Sequence, residues 1–337
     1  MRRACIQDIS VSLPENRVSN TQIDREHPEW RIDSVLKRTG VKNRHIAADD
    51  ETALDLGYRA SLQLFEKNPT LRDQIDTVIF CTQSPDHIIP PNSCLLHNKL
   101  QLPEHVAVFD ISHACSGFVY TLGIAHALVQ SQAAKNVLLV TADTYSKYIN
   151  VNDRSTRVLF GDGGAACWVS GNENGQGVLG LSYGTSGVNY DKFIVPAGAC
   201  RIPKSASTRE AVADQNGNLR SQEDIHMSGN DILVFVNDKI PDHVREFLKS
   251  FNFTISDIDL FVFHQASLIV LETLARSLDI DMEIVFQNLG SVGNTVSASI
   301  PIAMNDALKQ GKIQPGHKVL ICGFGAGLSW GSALLQF

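Results

Sequence analysis

The feature that most restricts how this chain can fold is an internal duplication. An apolar run at residues 75–80 opens into Cys81-Thr82-Gln83-Ser84, and a second at 258–263 opens into His264-Gln265-Ala266-Ser267, 183 positions later. Another pair of apolar runs, 136–140 and 318–322, stands 182 positions apart. Short apolar runs bounded by turns read as buried strands. Two pairs that keep nearly one offset read as a single unit used twice. Helical patterning fills the intervals at 51–67, 116–134, 231–251, 268–278 and 296–309. Strands alternating with helices give parallel or mixed sheets covered by helices. Two such units, at residues 1–172 and 173–337, predict an α/β fold: a duplicated α/β/α/β/α five-layered sandwich. Residues 184–223 turn polar and rich in small side chains, which reads as a long surface excursion.

Composition narrows the function classes. The 337 residues carry a net charge of −7, with no basic run or zinc-finger spacing, so nucleic acid is not an expected partner. Residues 111–134 contain no Asp, Glu, Lys or Arg and are long enough to span a bilayer. Ser112, His113, Ser116, Gln130 and Gln132 interrupt them, so a helix buried within the protein is expected instead of a membrane span. The opening MRRACIQDISVSLPENR lacks an apolar stretch of signal-peptide length, and a cytoplasmic protein is expected. The seven cysteines are odd in number and widely spaced, as suits reduced thiols.

One cysteine stands apart. Cys115 lies between an apolar strand at 106–111 and the uncharged helical stretch, with small Ser116 and Gly117 after it. A helix N-terminus favours thiolate over thiol, so Cys115 is the expected nucleophile. His264 follows the 260–263 strand directly, where α/β sheets present their ligands. Asn294, in Gly293-Asn294-Thr295, would alone read as a helix cap. The duplication brings these loops to one end of the molecule. Of two Gly-rich stretches, 161–164 reads as a turn between core strands. The other, 323–331, includes Gly325-Ala326-Gly327 and can place a backbone N–H beside the nucleophile.

Together these residues resemble the β-ketoacyl-acyl carrier protein synthase III family of condensing enzymes. The resemblance is carried in family order by Lys37-Arg38-Thr39-Gly40, Cys115-Ser116-Gly117-Phe118, Phe160-Gly161-Asp162-Gly163, His264-Gln265-Ala266, Gly293-Asn294-Thr295 and Trp330-Gly331-Ser332. It implies a thiolase-like fold and a homodimer that uses coenzyme A or acyl carrier protein thioesters and needs no metal or redox cofactor. It implies Cys115, His264 and Asn294 as catalytic residues, with the N–H groups of Cys115 and Ala326 as oxyanion donors. It further implies substrate contacts at Arg38, Arg154, Phe160 and Asn230, and at Ile89 reaching in from the partner subunit. The chain departs from the family pattern at Ser34, where a tryptophan is usual. It departs again at Val234 and Ile269, where basic residues usually meet the carrier. The chemistry is therefore expected intact on an altered carrier rim, as in a specialised member.

Two other readings compete. Simple acyl transfer to an amine or hydroxyl would use Cys115 and His264 but has no enolate for Asn294 to stabilise. A non-catalytic carrier-binding subunit would be expected to have lost Cys115 or His264, and both are present.

Overall fold

The computed structural model describes residues 3–172 and 174–337. Its first half builds a sheet from β1 (Arg3–Ser12), β2 (Thr77–Cys81), β3 (Ala107–Ile111), β4 (Asn136–Asp143) and β5 (Gly163–Asn172), in the order β1-β5-β4-β2-β3. The second half uses β6 (Gly177–Thr185), β7 (Leu260–Phe263), β8 (Lys318–Gly325) and β9 (Ser329–Gln336), in the order β7-β8-β9-β6. In both, a parallel pair, β2 with β4 and β7 with β8, continues on one side into antiparallel strands. Every residue of β2 and of β7 is buried, the pattern of strands covered on both faces.

The helices supply the layers. α1 (Ala53–Lys67) and α2 (Asn92–Leu100) cover the outer face of the first sheet. α4 (Gly229–Ser250) and α5 (Leu268–Leu278) cover that of the second. α3 (Gly117–Gln130) and α6 (Ser299–Lys309) lie between the sheets and touch strands of both. That position explains why α3 carries no charge: Phe118, Val119, Leu122, Ala125 and Val129 are fully buried against the two sheets. Each large apolar side chain so covered contributes about 1.5–3 kcal/mol. The segment weighed as a membrane span is thus a 14-residue inner helix, and no described helix is long and apolar enough to cross a membrane. The five-layered sandwich expected from the duplication is the observed fold.

The strand registers define which residues of the two halves are equivalent. Phe80 pairs with Val140, and Phe263 pairs with Cys322, so the residues that follow, Cys81 and His264, occupy matching places. α3 starts at Gly117 and α6 at Ser299, which matches Cys115 to Ser297 by the same count. β3 has only a remnant in the second half, a single parallel bridge between Phe261 and Val285. Residues 184–223 are largely exposed, as expected, but not structureless: Phe193–Ile194 pairs with His226–Met227, and Val212–Ala213 pairs with Leu219–Arg220.

Candidate active site

Cys115 leaves β3 through a tight turn, in which Gly117 N–H donates to Ala114 O at 2.8 Å, and it is 2% exposed. β8 passes directly against it. A Cβ added at Gly325 would lie 2.8 Å from Cys115 Sγ, and one at Gly323 would lie 2.7 Å from the Cys115 carbonyl. Only glycine permits that approach. The strand end thereby brings the Ala326 N–H to the sulfur, which also receives the N–H of Cys115 itself. These are the two donors the sequence nominated for an oxyanion.

The thiol itself is a correction to the sequence reading. Burial, and then the negative charge of Asp143, push the Cys115 thiol well above its ordinary range, against the two N–H groups that favour thiolate. The helix begins only at Gly117, so its dipole acts from further off than the expectation assumed. The resting group is the neutral thiol. Cys94 and Cys200 are exposed, whereas Cys115 is buried.

His264 is 2% exposed at the end of β7. Its N–H donates to Cys322 O at 2.8 Å, and its ring meets Phe324 edge-on at 5.6 Å. Nδ1 lies 2.6 Å from Ser299 Oγ on the first turn of α6, which leaves Nε2 for a ligand. Burial depresses the imidazole to a pKa of about 3, so it is neutral at physiological pH. β8 therefore links the two residues: Phe324 bears on His264, and Gly325 bears on Cys115.

Asn294 is 3% exposed and is pinned by its backbone to the first half. Its N–H donates to Leu159 O at 3.0 Å, and its carbonyl accepts from Gly161 N–H at 2.9 Å, forming a bridge at Phe160. Its side-chain Oδ1 accepts from Val296 N–H at 3.0 Å, so the NH2 group remains available. Val296 is a buried β-branched residue at φ +54°, a strained conformation of the kind found where a loop is held for function. The same loop carries Ser297 and leads into Ser299, which holds the His264 ring.

The remaining candidates divide. Phe160 is buried in the same core cluster as Cys115, 5.6 Å from the Tyr145 ring and 5.9 Å from Phe193. Arg38, on the helix Ile32–Thr39, lines a surface hollow with Lys37 and Ser34. Arg154 opens the short helix Arg154–Arg157. Asn230 is exposed on the first turn of α4 and does not line the cavity in front of Cys115. Ile88 and Ile89 are 92% and 83% exposed beside a cis Ile89–Pro90 bond. Trp30, near the place vacated at Ser34, is buried under His27 at 3.9 Å and Arg157 at 5.9 Å, so it packs the fold and is no free platform.

The sequence reading missed Ser299, Asp143 and Ser297. Asp143 is fully buried at the end of β4 and accepts from Gln83 N–H at 2.8 Å, Thr82 Oγ1 at 3.3 Å, and both the N–H and hydroxyl of Ser297. Among the described residues it has no cationic partner, and burial raises its carboxyl to about 6. Its partners lie 60 and 154 positions away, so no local motif announced it. A cavity of about 990 Å³ opens beside the Cys115 turn, with His113, Tyr145, Phe193, Ala326 and Ser329 in its lining.

Comparison with known proteins agrees with this geometry. Residues 109–187 match the family model of 3-oxoacyl-[acyl-carrier-protein (ACP)] synthase III, and residues 248–337 match the model of its C-terminal part. The β-ketoacyl-[acyl-carrier-protein] synthases III of Campylobacter curvus and Clostridioides difficile are each 36% identical, over 100% and 99% of this chain and 98% of theirs. A crystal structure of a 3-oxoacyl-(acyl-carrier-protein) synthase III superposes with a TM-score of 0.97 at 38% identity, covering 99% of this chain and 100% of that one. The Thermus thermophilus β-ketoacyl-[acyl carrier protein] synthase III superposes at 0.88 with 32% identity and 99% of each chain covered. Alike in sequence from end to end and in fold, this chain belongs to the 3-oxoacyl-[acyl-carrier-protein] synthase III family of condensing enzymes.

Proposed function

We propose that the protein joins an acyl thioester to a malonyl thioester by decarboxylative Claisen condensation, with Cys115, His264 and Asn294 as its catalytic residues. The observation that carries this reading is the convergence at the end of β8. One buried thiol there faces two backbone N–H groups, and two fixed side chains nearby each keep one polar group free.

In the first step the Cys115 sulfur attacks the acyl carbonyl. The S–C bond forms, the bond to the donor's sulfur breaks, and the Cys115 proton ends on the departing thiol. The N–H groups of Cys115 and Ala326 receive the oxyanion; losing one such donor typically costs about 3–4 kcal/mol in barrier. In the second step the malonyl group loses CO2. The electron pair becomes an enolate, whose oxygen accepts hydrogen bonds from Asn294 NH2 and from His264 Nε2–H, the tautomer present when Ser299 donates to Nδ1. The enolate carbon attacks the acyl carbonyl and the Cys115 sulfur leaves. Asn294 favours condensation over plain acyl transfer, since its held amide has no task without an enolate.

In this reading the enzyme is a cytoplasmic homodimer that takes coenzyme A or carrier-protein thioesters. Arg38 and Arg154 meet the thioester's carrier moiety, and Ile89 of each chain enters the partner's acyl pocket. Intact-protein mass spectrometry with a panel of acyl-coenzyme A donors should show one acyl group added, on Cys115. Malonyl-coenzyme A should then discharge it with release of CO2. Acylation without any discharge by malonyl thioesters would replace condensation with simple acyl transfer. A dimer should be visible by sedimentation, and Ile89→Phe should shorten the preferred donor, each excluded methylene being worth about 0.8 kcal/mol. An unchanged chain-length profile would remove Ile89 from the pocket.

A further inference from the structure

The cavity in front of Cys115 is not a plain hydrocarbon sleeve. Two polar side chains from separate loops are set into its wall, each held by the protein at one end and free at the other. Gln83 follows β2. Its Oε1 accepts from the Tyr145 hydroxyl at 2.6 Å, and its backbone N–H is tied to Asp143. Its Nε2, a donor, has no protein partner among the described residues. His113 stands two positions before Cys115, with its ring stacked on Tyr120 at 4.3 Å and Nδ1 3.0 Å from Ser116 Oγ.

The hydroxyls beside it have one consistent set of protons. Ser329 Oγ–H can donate to Ala326 O at 3.0 Å, with the Ser116 hydroxyl donating to Ser329 Oγ at 2.9 Å. In that arrangement Ser116 accepts from His113 Nδ1–H, and Nε2 is an acceptor. The imidazole is neutral, since burial lowers its pKa. The charged groups on the cavity wall are occupied. Lys147 donates to the carbonyls of Ala48 and Asp49 at 3.0 and 2.9 Å, and Lys204 and Arg209 both pair with Glu223. Asp224 accepts from Asn150 and from Ser221 N–H.

In that arrangement the cavity lining offers a free donor and a free acceptor, with the neighbouring charges already satisfied, which suits a neutral group that both accepts and donates. We infer that the acyl donor carries a hydroxyl group on its chain, which accepts from Gln83 Nε2–H and donates to His113 Nε2. This deepens the condensation reading and rests on it. A bare alkyl chain would bury both groups without replacing their water, which is the larger penalty in hydrogen-bond energetics. A keto group could satisfy Gln83 alone, and a carboxylate would meet the unprotonated His113 nitrogen.

The test uses the full chain and four probes: 3-hydroxybutyryl-, 4-hydroxybutyryl-, butyryl- and succinyl-coenzyme A, with the rate of Cys115 acylation followed by mass spectrometry. The better hydroxy donor should exceed butyryl by about fivefold to tenfold in kcat/KM, the range a net hydrogen bond provides, with succinyl below it. Gln83→Leu and His113→Phe should each bring hydroxy and butyryl donors to within about twofold of one another, read as a ratio. Butyryl matching both hydroxy donors in the unmodified enzyme overturns the inference, and so does succinyl as the best donor. Variants that slow both donors equally overturn it too, leaving the two side chains a packing role. In all three cases condensation itself still stands. Failure of every donor to acylate Cys115 would instead remove the reading on which the inference rests.

Discussion

β2 and β7 run through the two halves in equivalent places, yet they end in opposite chemistry. β7 delivers His264, with one ring nitrogen free for a ligand. β2 delivers Cys81, whose thiol donates to His113 O at 3.4 Å and packs so closely on Gly117 that an added Cβ would lie 2.4 Å from the sulfur. The same exchange recurs at the two other matched positions. Where the first half has Cys115, the second has Ser297; where β8 ends in Gly325, β4 ends in Asp143. Gly325 leaves room at Cys115. Asp143 fills that room in the mirror and binds Ser297 through two hydrogen bonds. Duplication offered two sites, and one aspartate turned the second into a brace that holds the loop carrying Asn294.

That loop exists because the halves differ in one more element. β3 is a full strand leading straight to Cys115, whereas its counterpart is reduced to the Phe261–Val285 bridge. The chain freed from pairing after Val285 crosses instead to Phe160, where its backbone is taken up at Leu159 and Gly161. Cys115 thus comes from the regular half, and the loop with Asn294 comes from the one with the reduced strand.

The contrast can be broken most directly by exchanging matched residues. Cys115→Ala should abolish the acyl-enzyme and reduce condensation by at least about 10⁴-fold, as expected when a covalent nucleophile is removed. Ser297→Ala, its mirror, should still acylate. It should lose about 1–3 kcal/mol of stability in urea unfolding, because Asp143 is left with an unmet acceptor. Loss of acylation in Ser297→Ala would mean that the brace and the site are not separable.

A smaller effect is expected one position out. His264→Ala and Asn294→Ala should each slow malonyl decarboxylation by about 10²–10³-fold, the usual cost of an oxyanion donor, with Cys115 acylation retained. Cys81→Ala should keep activity within about twofold and cost about 1 kcal/mol of stability. Full condensation by Asn294→Ala would defeat its assignment.

The brace also acts at a distance. Asp143→Asn removes the charge that helps hold the Cys115 thiol up, so the thiol pKa should fall and the pH profile of Cys115 acylation should move to lower pH. At fixed neutral pH the rate should rise at least about threefold, because the thiolate is the reacting species. A profile that stays in place would confine Asp143 to a structural role.

The least effect belongs to the rim. The first half presents Lys37, Arg38 and Arg154, while the second has exposed Val234 and half-buried Ile269 where basic residues were expected. Val234→Lys with Ile269→Arg should raise activity with an acidic carrier protein, by at most about tenfold to thirtyfold, and less at high salt, since each exposed pair is worth about 0–1 kcal/mol. Salt-sensitive high activity in the unmodified enzyme would place the dock on other residues.

The sequence by itself determined the layered fold and nominated the three central residues. Fully buried strands and an uncharged inner helix leave their periodicity in the chain, because water-facing and core-facing positions demand different side chains. Cys115, His264 and Asn294 were legible because each sits in a short motif of small neighbours that a close-packed loop requires. What only the tertiary structure decided lies in contacts between distant positions. Ser299 reaches His264 across 35 positions, and Ser297 reaches Asp143 across 154. Neither serine is distinguishable from any other until the loop is folded. The protonation of Cys115 was likewise undecidable from its motif. A helix start argued for thiolate, while burial and a carboxylate brought in by β4 argued for thiol, and in a buried site the desolvation of a charge outweighs a distant dipole.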